Sequence, residues 1–164
     1  MDSTVFVYTM SQIGSVGAWS RYVFPFPIDD FTQLADDLYI RSGDDVLKMD
    51  DNEVTDYAGD PREQPFTGVI QWPWLDFGAP GVTKQLVGFD IVGSGETSVQ
   101  VGYDQSAKGI FTAPFTVPAD SVPGMMIPLP IMAPSMSFKL TYEGGEKWQF
   151  NALNVTVNDM RLGA

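Results

Sequence analysis

The chain contains no cysteine and no histidine among its 164 residues. Cys–His and Ser–His–Asp nucleophilic relays are therefore excluded, and so is any thiolate or imidazole metal site. Disulfides are excluded as well, which leaves the redox compartment unread. Basic residues are scarce, with 9 Lys and Arg against 21 Asp and Glu and a formal charge of −12. Gripping nucleic acid by phosphate neutralisation needs clustered Lys and Arg, so that class falls away. No apolar run approaches the roughly 18 residues of a spanning helix. Met1-Asp2-Ser3-Thr4 places no basic segment before an apolar one, so no signal peptide is expected. The expectation is a soluble protein made in the cytoplasm, with no membrane partner.

What is present is a core and many breakers. Hydrophobic residues make up 44% of the chain, and a chain of about 150 residues buries roughly 68–70% of its unfolded surface. With 16 Gly and 12 Pro, few windows of helical length are uninterrupted. Period-2 alternation appears instead. Met136, Phe138, Leu140 and Tyr142 alternate with Ser137, Lys139 and Thr141, and Val99, Val101 and Tyr103 alternate with polar neighbours and Gly102. Val87, Phe89 and Ile91 form a third such run, and Leu153, Val155 and Val157 a fourth. Ser42-Gly43-Asp44, Gly93-Ser94-Gly95 and Glu143-Gly144-Gly145-Glu146 read as hairpin-like turns. The one candidate helix is a short turn near 29–36. The fold class is all-β.

Composition divides the chain near 58–65. Residues 1–64 hold 13 acids and 4 bases, whereas residues 65–164 hold 8 acids and 5 bases. The first part reads as an acidic antiparallel meander of four short strands, like a propeller blade, with strands near 4–9, 19–26, 38–42 and 46–49. The second part offers seven or eight strands, enough for a β-sandwich or jelly roll. Within it, residues 111–134 hold Pro114, Pro118, Pro123, Pro128, Pro130 and Pro134. Proline cannot donate to a central ladder, so this segment is either an edge strand or an extended crossing. Its apolar residues, Met125, Met126, Ile127, Leu129, Ile131 and Met132, belong either to a loop packed on the sandwich or to a subunit-facing surface. Methionines suit the second because they adapt to irregular partners.

Few constellations carry chemistry. Asp44, Asp45, Asp50, Asp51, Asn52, Glu53 and Asp56 are dense enough to offer oxygens to a calcium ion, but their spacing is not that of an EF-hand. Acid-rich turns produce the same pattern. Asp76, Asp90, Asp104 and Glu143 are the carboxylates from which a glycosidase pair would be drawn, and nothing in their spacing selects one. Gly93-Ser94-Gly95 lacks the further residues of a phosphate cradle. Trp19, Trp72, Trp74 and Trp148, with Tyr103 and Tyr142 beside them, can serve either as core or interface anchors or as a sugar-stacking platform, the last three tryptophans on a carbohydrate-binding sandwich module. Asn154-Val155-Thr156 matches a glycosylation sequon inside an expected strand. No catalytic residue, metal or cofactor is expected.

Two segments taken together carry a resemblance. The first comprises Gly17-Ala18-Trp19-Ser20-Arg21-Tyr22, Asp37-Leu38-Tyr39-Ile40-Arg41-Ser42-Gly43-Asp44 and Val46-Leu47-Lys48-Met49-Asp50. The second comprises Trp72-Pro73-Trp74-Leu75-Asp76-Phe77-Gly78, Lys84-Gln85-Leu86 and Gly88-Phe89-Asp90. In this order they resemble the C-terminal portion of the packaged-DNA stabilisation (tail nozzle) proteins of short-tailed bacteriophages, over about residues 4–158. Members of that family are much longer, so the chain corresponds to a C-terminal portion or a shortened relative.

The resemblance implies a structural virion protein rather than an enzyme. Such a protein is made in the host cytoplasm and assembled as a homo-oligomeric ring, usually a hexamer, contacting neighbouring tail or adaptor proteins. DNA would pass through without specific binding. On that reading Trp19 and Arg21 anchor the meander, Trp72 and Trp74 hold the junction between lobes, and Asp76-Phe77-Gly78 turns into the sandwich. Met125, Met126, Ile127, Leu129 and Ile131 face another subunit. Asp44, Asp45, Asp50, Asp51 and Asp56 are the candidate channel lining, since acidic walls repel phosphates. The same acidity also serves solubility alone.

Overall fold

A computed structural model describes residues 2–10, 17–50, 52–118 and 124–160. Among them every regular element is a strand, and the sheets are antiparallel and unclosed. The chain divides into two compact units, 1–51 and 52–164. The division lies ahead of the composition shift because the acid-rich loop at 52–65 belongs to the second unit.

In the first unit, β1 (Ser3–Met10) and β2 (Gly17–Phe24) form a two-stranded hairpin. A separate three-stranded meander follows, made of β3 (Asp30–Leu34), β4 (Asp37–Ser42) and β5 (Asp45–Met49). The expected four-strand blade is therefore a hairpin plus a meander. The short helix expected near 29–36 is strand β3, which turns back at Ala35 in the left-handed region, with φ 55°. Gly43, at φ 59°, closes the next turn, where a side chain would be strained. Asp29 fixes that corner: its carboxylate accepts from the Gly43 N–H at 2.7 Å and its own N–H donates to the Arg41 carbonyl. Among the described residues, Phe24, Phe26 and Ile40 are the buried apolar side chains of this unit.

The second unit begins with β6 (Thr55–Asp56) and β7 (Gln64–Pro65), a two-residue ladder at the neck of a loop. Seven strands then build a sandwich. One sheet runs β11 (Phe115–Val117), β10 (Thr97–Gly102), β13 (Ser137–Tyr142), β8 (Gly68–Gln71). The other runs β12 (Ile127–Ala133), β9 (Lys84–Ser94), β14 (Gln149–Asp159). Between them lie Leu86, Phe89, Ile91, Val99, Val101, Val117, Leu129, Ala133, Met136, Phe138 and Leu140. Full burial of side chains of this kind stabilises by roughly 1.5–3 kcal/mol each.

Two expectations are corrected here. Gly93-Ser94-Gly95 and Glu143-Gly144-Gly145-Glu146 do not close hairpins, because β9 and β10, and likewise β13 and β14, lie in opposite sheets. Both turns cross the sandwich. The alternation of Val87, Phe89 and Ile91 is also broken. Leu86 pairs with Val157 and Gly88 with Thr156, so Val87 is an extra residue, a bulge that sends Leu86 rather than Val87 into the core. The part of the proline-rich segment that holds Pro128 and Pro130 takes the edge position, as β12, while Pro123 lies outside the described residues.

Candidate functional site

The methionine and proline segment is divided by its strand period. In β12, Leu129 is 8% exposed and belongs to the core, while Ile127 and Ile131 are half-buried against it. Met125, Met126 and Met132 stand out at 59%, 46% and 59% exposure. The exposed surface is therefore the methionines rather than the branched residues. What holds it in place is β9. Gly88 leaves room for β12, since a Cβ there would lie 2.5 Å from the Ile127 carbonyl oxygen and 2.8 Å from Met126 Cγ. Asp90, 7% exposed, accepts from the Gly124 N–H at 2.8 Å and from Asn154 Nδ2 at 3.4 Å. Its second oxygen, Oδ1, is buried with no hydrogen-bond partner among the described residues.

A second apolar surface lies in the first unit. Tyr8 and Trp19 pair across the hairpin, with ring centroids 4.9 Å apart. Phe6 is 65% exposed and Trp19 70%, and Val23 shares their face by the period of two. The opposite face contributes Val5, Val7, Tyr22 and Phe24 to a cleft of about 210 Å³, closed on the meander side by Phe31, Leu38 and Met49. Both faces of this two-stranded pair are thus largely apolar, and neither strand contains a carboxylate. Arg21 is exposed on the first face, opposite Phe6 and between Trp19 and Val23.

The acids lie elsewhere. Asp44, Asp45 and Asp50 are exposed at the turn and end of β5. Asp56 is half-buried in the second unit, where loss of water raises its pKa. Asp51 is outside the described residues. Lys48 lies 3.1 Å from Asp37 and 3.8 Å from Asp50, and its hydrogen bond and attraction to Asp37 raise its pKa. Among the described residues no group of three or more carboxylates converges as a metal-ion site.

The loop at 52–65 is organised by side chains. Glu63 accepts from Thr55 Oγ1 at 2.8 Å and from the Gly59 N–H at 3.0 Å, and these bonds lower its pKa. Asp60 accepts from Arg62 Nε at 2.8 Å and Nη2 at 3.1 Å, while the guanidinium lies 4.2 Å above the Tyr57 ring. The Arg62 bonds pull Asp60 down to about 2.

The tryptophans separate clearly. Trp72 meets Phe150 edge-on at 5.5 Å and packs on the core. Trp74 is half-buried over Gly102. Trp148 stacks on Tyr142 at 5.4 Å and donates its indole N–H to Thr97 Oγ1 at 2.9 Å. Each has structural neighbours within the second unit, whereas Trp19 keeps an open face. Among the glycosidase candidates, Asp76 accepts from the Gly78 N–H and Asp104 from Ser106, as turn acids do. Asp76-Phe77-Gly78 does form a turn, with Phe77 and Gly78 both left-handed.

Three features leave no mark in the sequence. The exposed apolar hairpin is one, because composition does not say which aromatics face outward. The orphaned oxygen of Asp90 is another. The third is Lys84, fully buried, whose ammonium donates to the carbonyls of Ala79, Val82 and Pro134 at 2.5, 2.8 and 2.9 Å. It sits at an apolar–polar boundary of β9 with no signature that distinguishes it from a surface lysine. Comparison with protein families, with curated proteins and with solved structures finds no match for this chain.

Proposed function

We propose that the chain is a structural, non-catalytic virion component, a subunit of a ring-shaped phage tail or head-to-tail assembly around a DNA channel. The observation that carries this reading is the exposed apolar hairpin. A chain of net charge −12 leaves Phe6, Tyr8, Trp19 and Val23 at 50–70% exposure on one small sheet. Clustered exposed aromatic surface of that kind, here with Arg21 among the rings, marks an interaction site. The likeness of the tryptophan, Leu-Tyr-Ile-Arg and Asp-Phe-Gly segments to tail nozzle proteins supplies the assembly, and Met125, Met126 and Met132 offer it a second adaptable surface. Asp44, Asp45 and Asp50 would line the channel, repelling phosphates within a screening length of about 8 Å at physiological salt.

Light scattering across a concentration series, with negative-stain images, tests the reading. A ring with a central hole is expected, and it should not retain DNA. Replacing Asp44, Asp45 and Asp50 by Lys should make the ring retain DNA at low salt. A carbohydrate-binding module is the second reading, favoured by one observation, the open Trp19 face beside Tyr8. A monomer at every concentration that binds a glycan, and loses it on Trp19→Ala, would replace the first reading with the second.

A further inference from the structure

The sandwich has four edge strands, and three of them are poor templates for pairing. β8 and β11 have only four and three residues. β12 carries Pro128 and Pro130, which lack the N–H a ladder needs. β14 differs. Its eleven residues, Gln149–Asp159, contain no Pro, no Gly, no Lys or Arg, and one acid at the last position. Only β9 pairs with it, so among the described residues its outer edge meets no strand. Natural sheets blunt such edges by shortness, charge or proline, and this strand carries none of those devices along residues 149–158. The hairpin of the first unit also has open edges, but it is two strands wide. β14 is backed by the core through Leu153, Val155 and Val157, which hold its outward groups in place before any partner arrives.

We propose that the free edge of β14 pairs antiparallel with β14 of a second copy of this chain. The self-complementary, uncharged run of residues 152–158 argues for that occupant. Two copies at −12 each repel unless the contact keeps their acids apart, and residues 152–158 are uncharged. A two-fold axis at Val155 sets Val155 against itself, Leu153 against Val157, Asn154 against Thr156 and Ala152 against Asn158. The first two pairs continue the core row. The last two lie on the outer face, where Asn154 also meets Asp90. Each Asp159 falls opposite Asn151, far from its twin. The prolines of β12 then matter a second time. They close the far edge of the same sheet, so pairing ends at two copies and forms a closed two-fold dimer rather than a fibre. This inference does not rest on the ring; a ring needs a further contact elsewhere.

Charge swaps at the outer-face pair provide the test. Wild-type protein is expected to contain an even number of copies, with amides of 152–158 exchanging more slowly as concentration rises. The double variant Ala152→Lys, Asn158→Lys opposes like charges and should halve the mass measured by light scattering. Ala152→Lys with Asn158→Glu should restore it, and unchanged thermal midpoints would show that both variants fold. A wild-type monomer, or amide exchange that ignores concentration, overturns the pairing. So does a ring whose size the double-lysine variant leaves unchanged, although that result would support the ring itself.

Discussion

Lys84 shows how a single side chain can replace a missing secondary-structure contact. Three carbonyls, from Ala79, Val82 and Pro134, converge on its buried ammonium, joining the turn before β9 to the end of β12. Lys84→Met would keep the volume but leave three buried acceptors unpaired, each costing about 1–3 kcal/mol. Urea unfolding should show the second unit destabilised by on the order of 3 kcal/mol. Asp60 gives a pH prediction at the same scale. Its folded pKa, about 2, lies below its ordinary 3.8, so the Arg62 contact stabilises the loop fully above 3.8 and is lost as pH falls through about 2. A carboxyl titration followed by NMR should show that midpoint, and Arg62→Ala should return it toward 3.8. Little of this was visible in advance, because Lys84 and Asp60 acquire their partners from the turns of the fold.

At the scale of the element, alternation was readable and pairing was not. Met136, Phe138, Leu140 and Tyr142 are all at most 2% exposed, as a period of two requires of a strand with one face on the core. The same rule failed at Val87, since a bulge leaves no mark on apolar alternation. Glycine-rich turns mark where the chain reverses but not whether it stays in one sheet, because the chemistry that closes a hairpin also carries a chain across a sandwich. Gly88 belongs to this scale too. A methyl group there meets the Ile127 backbone as well as Met126 Cγ, and the backbone, unlike the side chain, has no rotamer that moves it aside. Gly88→Ala should therefore loosen β12 from β9 at a cost of about 1–3 kcal/mol in denaturant titrations, with faster amide exchange in residues 127–133.

For the molecule as a whole, the division of charge and apolar surface within the first unit matters most. β1 and β2 hold one charged side chain, Arg21, while seven of the acids lie in residues 29–50. An apolar sheet and an acidic meander in one small unit suit a part that joins neighbours on one side and repels on another. The acids of this unit are legible in the sequence, but whether Trp19 anchors the meander or offers an open ring is not, because composition does not say which face is covered; the ring is 70% exposed. Trp19→Ala should accordingly leave the thermal midpoint of the isolated chain nearly unchanged while weakening any self-association seen by light scattering. Phe138→Ala, in the core, should cost about 3–5 kcal/mol.

The burial of Lys84 has one more consequence, for anyone handling the protein. The chain has five lysines, and of these only Lys84 is sealed from solvent. Lys48 is the sole lysine of the first unit, and it is exposed. An amine-reactive reagent applied to native protein will therefore label every lysine but one. Appearance of that last label times the opening of the sandwich, with no dye, tag or engineered cysteine.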